Sequence, residues 1–106
     1  MAKPKEQRIT NLLSMAQRAG RIVSGAFAVE QAVKKKQAVL VLLAGDAAEE
    51  SKKNFITLAD KFAIPYADCL DRETLGGCLG KDFRAVAALL DDGFAKKLRQ
   101  LMEESL

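Results

Sequence analysis

The chain has 106 residues, of which 49% are hydrophobic and 29% charged, a composition typical of one soluble domain with a modest core. It contains no histidine and only two cysteines, and the spacing of Cys69 and Cys78 matches neither a redox pair nor a zinc site. No apolar run approaches the roughly 20 residues of a membrane helix, and the polar residues 1–8 do not resemble a signal peptide. We therefore predict a cytoplasmic protein that binds no metal and no cofactor.

The net charge of +3 is unevenly distributed along the chain. Residues 1–36 carry eight basic and two acidic side chains, whereas the remainder carries nine basic and twelve acidic ones. A concentrated positive field attracts polyanions and steers their approach. On charge alone, a nucleic-acid-binding surface and an ordinary solvated surface explain this asymmetry equally well.

Helical and strand patterns alternate along the whole sequence. Residues 1–7 are predicted to form a flexible basic arm, and residues 8–106 a single domain. Apolar residues at helical spacing predict helices at 8–19, 25–36, 49–62, 71–79 and from 91 to about 104.

Two continuous apolar runs, at 39–44 and 85–90, are typical of central strands that are covered on both faces. Shorter stretches at 21–23 and 64–67 predict short strands, the first of them at a sheet edge and the second limited by Pro65. The alternation as a whole predicts a three-layer α/β/α sandwich.

The stretch from Gly20 to Lys36, GRIVSGAFAVEQAVKKK, is the strongest candidate for a binding site. Ser24 suits the N-cap of the following helix because its hydroxyl can accept a hydrogen bond from a first-turn amide. Gly25 allows another backbone to approach closely. The free N–H groups and the positive dipole of a helix start suit a phosphate, and basic residues flank this one on both sides. Those flanking residues, Arg18, Arg21, Lys34, Lys35 and Lys36, are predicted to complete a phosphate-binding patch.

Phe27 falls among the polar residues of the second helix, almost opposite its apolar stripe. A large aromatic side chain at that position either covers a neighbouring loop or stays available to a ligand. Because singly exposed apolar residues are common, both interpretations stay open on the pattern alone.

Catalysis has little support in the sequence. Without histidine, the serines lack a conventional activating base. Asp46 follows a central strand but lacks the acidic companions of a magnesium or phosphoryl site, so we predict a helix-capping role for it, as for Asp91 and Asp92. The glycines of LGGCLG at 75–80 match neither GxGxxG nor a P-loop and indicate close packing followed by a helix stop.

Four segments in order resemble a known family. They are MAQRAGRIVSG at 15–25, AGDAAEESKKN at 44–54, IPYADCLDRETLGGCLGK at 64–81 and DDGFAKKL at 91–98. This order resembles the kink-turn-binding ribosomal-protein family, of the archaeal large-subunit 7Ae and eukaryotic 30e type, and looks closest to its small bacterial YlxQ-type branch. The resemblance implies an α/β/α sandwich with a four-stranded mixed sheet. It also implies binding to structured RNA, typically a sharply bent helix–internal-loop–helix with sheared G·A pairs.

The family reads that RNA with a motif of glycine, a small residue, Asn, Glu, two variable residues and Lys. Gly25 and Ala26 match its first two positions, which implies close backbone approach. Phe27 and Ala28 replace the Asn and Glu that hydrogen-bond guanine edges, and Gln31 replaces the Lys. Each lost base contact weakens discrimination by roughly 1–3 kcal/mol. In their place, Phe27 is expected to stack on an unpaired base.

Further contact positions implied by the resemblance are Lys52 after the central strand, Arg72 before the LGGCLG helix, and the loop 81–83. The RNA is expected to be contacted by Arg21, Ser24, Gly25, Ala26, Phe27, Ala28, Gln31, Lys34, Lys52, Arg72 and Lys81.

The sequence therefore predicts a monomeric, non-enzymatic RNA-binding protein whose candidate partners are ribosomal RNA, the ribosome or another structured RNA. Two other classes stay open. Some members of the wider superfamily bind proteins, so a protein-interaction module without RNA binding is the main alternative. A small α/β enzyme or nucleotide binder requires a concave polar pocket with converging acids, for which the sequence offers no candidate.

Overall fold

The computed structural model describes residues 4–103. The elements follow the predicted order: α1 (Pro4–Arg18), β1 (Ile22–Ser24), α2 (Ala26–Lys34), β2 (Leu40–Leu43), α3 (Glu49–Lys61), β3 (Tyr66–Asp68), α4 (Arg72–Cys78), β4 (Val86–Leu89) and α5 (Asp92–Glu103). Over this range, no helix is both long and apolar enough to cross a membrane.

The four strands form one mixed sheet in the order β1-β4-β2-β3. Strand β4 runs antiparallel to β1 and β2, and β2 runs parallel to β3. Every residue of β2 and β4 is buried, as expected for central strands. The prediction of a four-stranded mixed sheet with these two runs at its centre is confirmed.

Helices cover both faces of the sheet. Because successive side chains of a strand point to opposite faces, β2 contributes to two cores. Leu40 and Leu42 pack in the core formed with α1, α4 and α5, whereas Val41 and Leu43 pack in the core formed with α2 and α3. The three-layer α/β/α sandwich is therefore confirmed.

The predicted basic arm is wrong for residues 4–7, which form the first turn of α1. Proline is favoured at the first helical position, where its missing N–H costs no hydrogen bond. Lys5 is tied to the last helix, since its Nζ donates to the carbonyl of Met102 at 2.9 Å. Residues 1–3 of the predicted arm lie outside the described residues.

Of the three acids predicted to cap helices, Asp46 and Asp91 do so, whereas Asp92 is the first residue of α5. Asp46 caps a different helix from the one that follows it. Asp91 Oδ1 accepts from the amides of Gly93 and Phe94 at 2.7 and 3.2 Å, at the start of α5. Asp46 Oδ1 accepts from the amide of Arg72 at 2.8 Å and so caps α4.

Gly76 shows why the LGGCLG helix carries glycine. A Cβ at this position would lie 2.9 Å from the carbonyl oxygen of Asp82 and from the N and Cα atoms of Phe83. The predicted close packing is confirmed at Gly76, where it fixes the loop 81–85 against α4, but not at Gly77, where no heavy atom of residues 4–103 lies within 4 Å of such a Cβ.

The strand directions bring several loops together. Strands β1, β2 and β3 all end at the edge of the sheet where β4 begins. We call this the site edge; it comprises Gly25, residues 44–48, residues 69–71 and the loop 81–85. The opposite edge holds the starts of β1, β2 and β3 and the end of β4.

Candidate functional site

Helix α2 begins at the site edge with open backbone amides. Its N-cap is Gly25, with φ 92° and ψ 153°, and within residues 4–103 no side chain caps it. The first intrahelical acceptor is the carbonyl of Gly25, which accepts from Val29 N at 3.0 Å. The amides of residues 26–28 therefore have no acceptor within the helix. An L side chain is strained at this φ, so glycine is required here.

Ser24 does not cap α2, which corrects the predicted role. It is the last residue of β1, where it pairs with Ala87, and its Oγ accepts a hydrogen bond from Arg84 Nε at 3.0 Å. Because the strand pairing fixes its backbone, its hydroxyl is directed to Arg84 rather than to the first turn of α2.

Arg84 is the principal site residue that the sequence interpretation missed. Its Nη1 donates to the carbonyl of Phe83 at 3.0 Å, and its backbone N donates to the carbonyl of Arg72 at 3.1 Å. A Cβ built at Gly25 would lie 3.8 Å from Arg84 Nε, so the guanidinium lies beside the α2 start. In the sequence, Arg84 directly follows the loop 81–83 and precedes a buried strand, but its place beside Gly25 depends on the pairing of β1 with β4.

Two aromatic side chains are exposed next to these groups. Phe27, in the first turn of α2, is 76% exposed, and Phe83, in the loop 81–85, is 60% exposed. Phe27 therefore does not serve as cover for a neighbouring loop, and its contact with a ligand stays a prediction. The site edge thus combines open amides, a guanidinium and two solvent-facing aromatic rings.

The neighbouring helix start, that of α4, is occupied by the protein's own acids. Asp71 Oδ1 accepts from Thr74 N at 2.7 Å, and this hydrogen bond lowers the pKa of the Asp71 carboxyl. Asp46 caps the same helix from the β2 end, and its Oδ2 lies 3.5 Å from Arg72 Nε. Arg72 therefore remains at the site edge with part of its charge balanced by Asp46.

With this geometry established, comparison with known proteins identifies the family. Residues 7–99 match the model of the ribosomal protein L7Ae/L30e/S12e/Gadd45 family. The chain belongs to this family. Within the family it is 37% identical over 92 residues to the RNA-binding protein YlxQ of Bacillus subtilis (strain 168), covering 87% of this chain and 92% of that protein. It is 29% identical over 103 residues to the RNA-binding protein YlxQ of Enterococcus faecium, covering 97% and 99% of the two chains.

Solved structures share this fold. A protein of unknown function from Bacillus halodurans C superposes with a TM-score of 0.85 and 34% identity, covering 91% of this chain and 97% of that one. The Giardia lamblia 15.5kD RNA binding protein superposes with a TM-score of 0.75, covering 98% of this chain and 89% of that one. At 17% identity, the second comparison shows a shared fold only. The predicted resemblance to the L7Ae-like family and its YlxQ branch is confirmed.

Lys52 of this L7Ae-family chain is less available than predicted. Its Nζ lies 2.9 Å from Asp68 Oδ2 and donates to the carbonyl of Gly45 at 3.2 Å, and its side chain is only 21% exposed. This arrangement ties the end of β3 to the loop after β2. Lys52 is at the site edge, but its charge is already balanced by Asp68.

Two predicted phosphate-binding residues lie away from the α2 start. Arg21 precedes β1 and Lys34 ends α2, so both lie toward the opposite edge of the sheet. The nine residues of α2 span about 13 Å at 1.5 Å per residue. Lys34 Nζ also lies 3.6 Å from Glu30 Oε1. The expectation that these cations surround the Gly25 helix start is wrong, because helix and strand lengths separate them from it. Arg18, Lys35 and Lys36 lie toward the same opposite edge.

The remaining predicted residues lie on α2 or in the loop 81–85. Ala26 is exposed, Ala28 and Gln31 are half-buried, and Lys81 is exposed in the loop 81–85. The backbone N of Lys81 donates to the carbonyl of Gly76 at 2.8 Å, which holds this loop against α4.

Both cysteines are free thiols. Burial raises the pKa of Cys69 to about 12 and that of the half-buried Cys78 to about 11. Such thiols are protonated at neutral pH and react slowly. No group of three or more His, Cys, Asp or Glu side chains in the described part of the chain is arranged to hold a metal ion.

Proposed function

We propose that this protein binds structured RNA at the site edge. The observation that carries the proposal is the start of α2, where the amides of residues 26–28 lack a side-chain cap beside the guanidinium of Arg84. Open amides at a helix N-terminus and a nearby cation are both favourable to a phosphate. A sugar–phosphate backbone is a ligand that presents such groups in series.

The exposed aromatic rings suit the bases of the same ligand. Sequence-specific RNA recognition commonly uses unpaired bases stacked on aromatic side chains. Phe27 and Phe83 are exposed in the two segments that carry the phosphate-binding groups, the first turn of α2 and the loop 81–85. Stacking accepts any base, because every base has a π face. We therefore expect the protein to read the shape and the unpaired bases of its RNA, with little dependence on guanine edges.

A kink-turn is the RNA shape that this proposal favours, because its sharp bend exposes unpaired nucleotides next to sheared G·A pairs. Membership of the L7Ae/L30e family and 37% identity to a protein named RNA-binding protein YlxQ support the choice. The non-enzymatic role and the association with ribosomal RNA belong to the same proposal.

Titration with a kink-turn hairpin tests the proposal. The control is the same hairpin with its sheared G·A pairs replaced by Watson–Crick pairs, which removes the bend. We expect tighter binding to the bent RNA and an affinity that falls linearly with the logarithm of salt concentration. Equal affinity for both RNAs would remove the kink-turn preference. No binding, or an affinity independent of salt, would contradict the RNA-binding function itself.

Crosslinking in cells, followed by sequencing of the attached RNA, would then identify the partner. Enrichment of a structured RNA, ribosomal or other, is the expected result. If no RNA is enriched and a protein is captured after nuclease treatment, the alternative of a protein-interaction module is favoured instead.

A further inference from the structure

A groove of about 640 Å³ runs between α2 and α3. It begins at Ala26 and Phe27, which also belong to the proposed RNA site. Its other end is lined by Lys34 and Lys61, in the last turns of the two helices. The groove therefore connects the site edge to the cationic ends of α2 and α3.

The lining of this α2–α3 groove combines three kinds of surface. Phe55 and Leu58 contribute apolar atoms and also pack against the core beneath. Ser51, Asn54 and Thr57 contribute neutral hydrogen-bonding groups. Such a lining can pack against flat base rings and can also form hydrogen bonds with the polar groups at the edges of those rings.

The charges of the groove favour an anion at its far end. Glu30 is the acid that lines it, and its Oε1 lies 3.6 Å from Lys34 Nζ, so these two opposite charges offset each other. Lys61 Nζ lies 6.0 Å from the centroid of the Phe62 ring. Among the described residues no carboxylate oxygen lies within ion-pair distance of Lys61. Lys61 therefore retains a positive charge that is available to a ligand.

We infer that the α2–α3 groove binds a single-stranded extension of the RNA held at the site edge. This inference rests on the proposed function, because the strand must enter the groove from the α2 start. Proteins that bind single strands combine a positively charged groove with aromatic rings on which bases stack. Here Phe27 provides the ring at the entrance, and Lys61 provides the charge toward the exit.

Continuity with the site edge is the reason for assigning RNA rather than a peptide to the groove. Phe27 lines the groove and is 76% exposed at the point where the groove meets the open amides of α2. A strand whose phosphate contacts those amides leaves the site edge next to this ring. Over the length of α2, about 13 Å by the helical rise, it then reaches Lys34 and Lys61.

The test compares one kink-turn hairpin with and without a single-stranded oligouridine tail of about eight nucleotides, a length within the usual range of single-strand sites. The tail is placed at the 5′ end in one RNA and at the 3′ end in another, because either end can lie nearest to Phe27. We expect one of the tailed RNAs to bind about tenfold tighter than the hairpin alone, the gain typical of a stacked base.

Charge changes within the groove should remove that gain. Thr57 is exposed and lines the groove, so Thr57→Glu introduces repulsion without disturbing the core. We expect Thr57→Glu to abolish most of the tail's contribution. Thr57→Gln adds a side chain of the same shape as glutamate but without its charge, and it should retain that contribution. Lys61→Gln should reduce the contribution about threefold, the loss of roughly one phosphate contact, whereas Lys53→Gln, on the same helix but outside the groove, should not.

The tail-free hairpin separates the two proposals. All four variants should bind it as the wild type does. If the hairpin binds but neither tail adds affinity, or if Thr57→Glu leaves the gain intact, the groove inference is wrong and the groove is open to a protein partner. If no RNA binds at all, the proposed function fails and the groove inference fails with it.

Discussion

Helices α2 and α4 both begin at the site edge, but within residues 4–103 only α4 has its first turn capped by side chains. At α4, Asp71 and Asp46 accept hydrogen bonds from Thr74 N and Arg72 N at 2.7 and 2.8 Å. At α2, the N-cap is Gly25 and no described side chain caps the first turn. Both helices direct amides and a positive dipole end toward the same region.

The difference separates a structural helix start from one available for binding. Carboxylates at α4 satisfy its amides and repel anions, so that helix serves to position the loop 81–85. The α2 start has a guanidinium as its neighbour, and its amides stay open. A phosphate is therefore expected at α2 and excluded at α4, although a general helix-dipole argument applies equally to both.

The largest expected effect tests the structural role of α4. Gly76→Ala places a Cβ 2.9 Å from backbone atoms of Asp82 and Phe83, and such overpacking costs about 1–3 kcal/mol of unfolding free energy. The matched control is Gly77→Ala, where no heavy atom lies within 4 Å and the helix gains about 0.5–1 kcal/mol. Urea denaturation measures both, and an equal effect of the two substitutions would contradict the packing role of Gly76.

The next effect tests the open start of α2. Ala26→Glu adds an acid at the first, exposed position of the helix, which should stabilise the fold by about 0.3–1 kcal/mol through the dipole. The same charge should weaken RNA binding about tenfold, or about 1.4 kcal/mol, by repelling phosphate. Ala26→Gln serves as the neutral control. Calorimetric unfolding and RNA titration should give effects of opposite sign; unchanged affinity would show that phosphate binds elsewhere.

A smaller effect is expected at Arg84. Arg84→Gln should reduce the slope of log affinity against log salt concentration by about 1, since one phosphate contact is lost. Arg84→Lys should preserve the slope, because the charge remains, while losing the hydrogen-bond geometry of the guanidinium. Arg99→Gln, on α5, corrects for the change in net charge. The assignment is wrong if Arg84→Gln and Arg99→Gln alter the slope equally.

The smallest effect concerns the capped start of α4. The folded-state pKa of Asp71 lies below its ordinary value of 3.8, chiefly because of the hydrogen bond from Thr74 N. The ionised Asp71 carboxylate therefore contributes fully to the free energy of unfolding when the pH is above its ordinary pKa. That contribution is lost as the pH falls through the lower pKa of the folded state. Thermal unfolding should show Asp71→Asn less stable than the wild type at pH 7, with the difference shrinking on acidification. A difference that does not change with pH would exclude the carboxylate as its source.

Most of the fold could be predicted from the sequence because the local hydrophobic patterns match the burial of those residues in the structure. The apolar runs at 39–44 and 85–90 contain β2 and β4, and the helical periodicities gave five helices whose ends shift by a few residues. Some helix ends depend on capping contacts with distant residues. Asp46, for example, caps α4 across 26 residues of sequence, which no local pattern indicates.

The site was predicted in part. The helix start at Gly25 and the outward position of Phe27 could be predicted because a backbone requirement and a helical phase are local properties. Lys52 was placed at the correct edge, but its pairing with Asp68 depends on the parallel contact between β2 and β3. Arg84 was missed because its position beside Gly25 depends on the antiparallel pairing of β1 with β4.

By itself, then, the sequence determined the layers, the central strands and the glycine at the start of α2, since each follows from side-chain periodicity or backbone freedom within a short segment. Only the tertiary structure decided which charges surround that glycine. Strand order brings Arg84 to Ser24, which is 60 residues away in sequence. The lengths of β1 and α2 place Arg21 and Lys34 toward the opposite edge of the sheet. Charge placement depends on which distant segments become neighbours, and that is set by the packing of the whole chain.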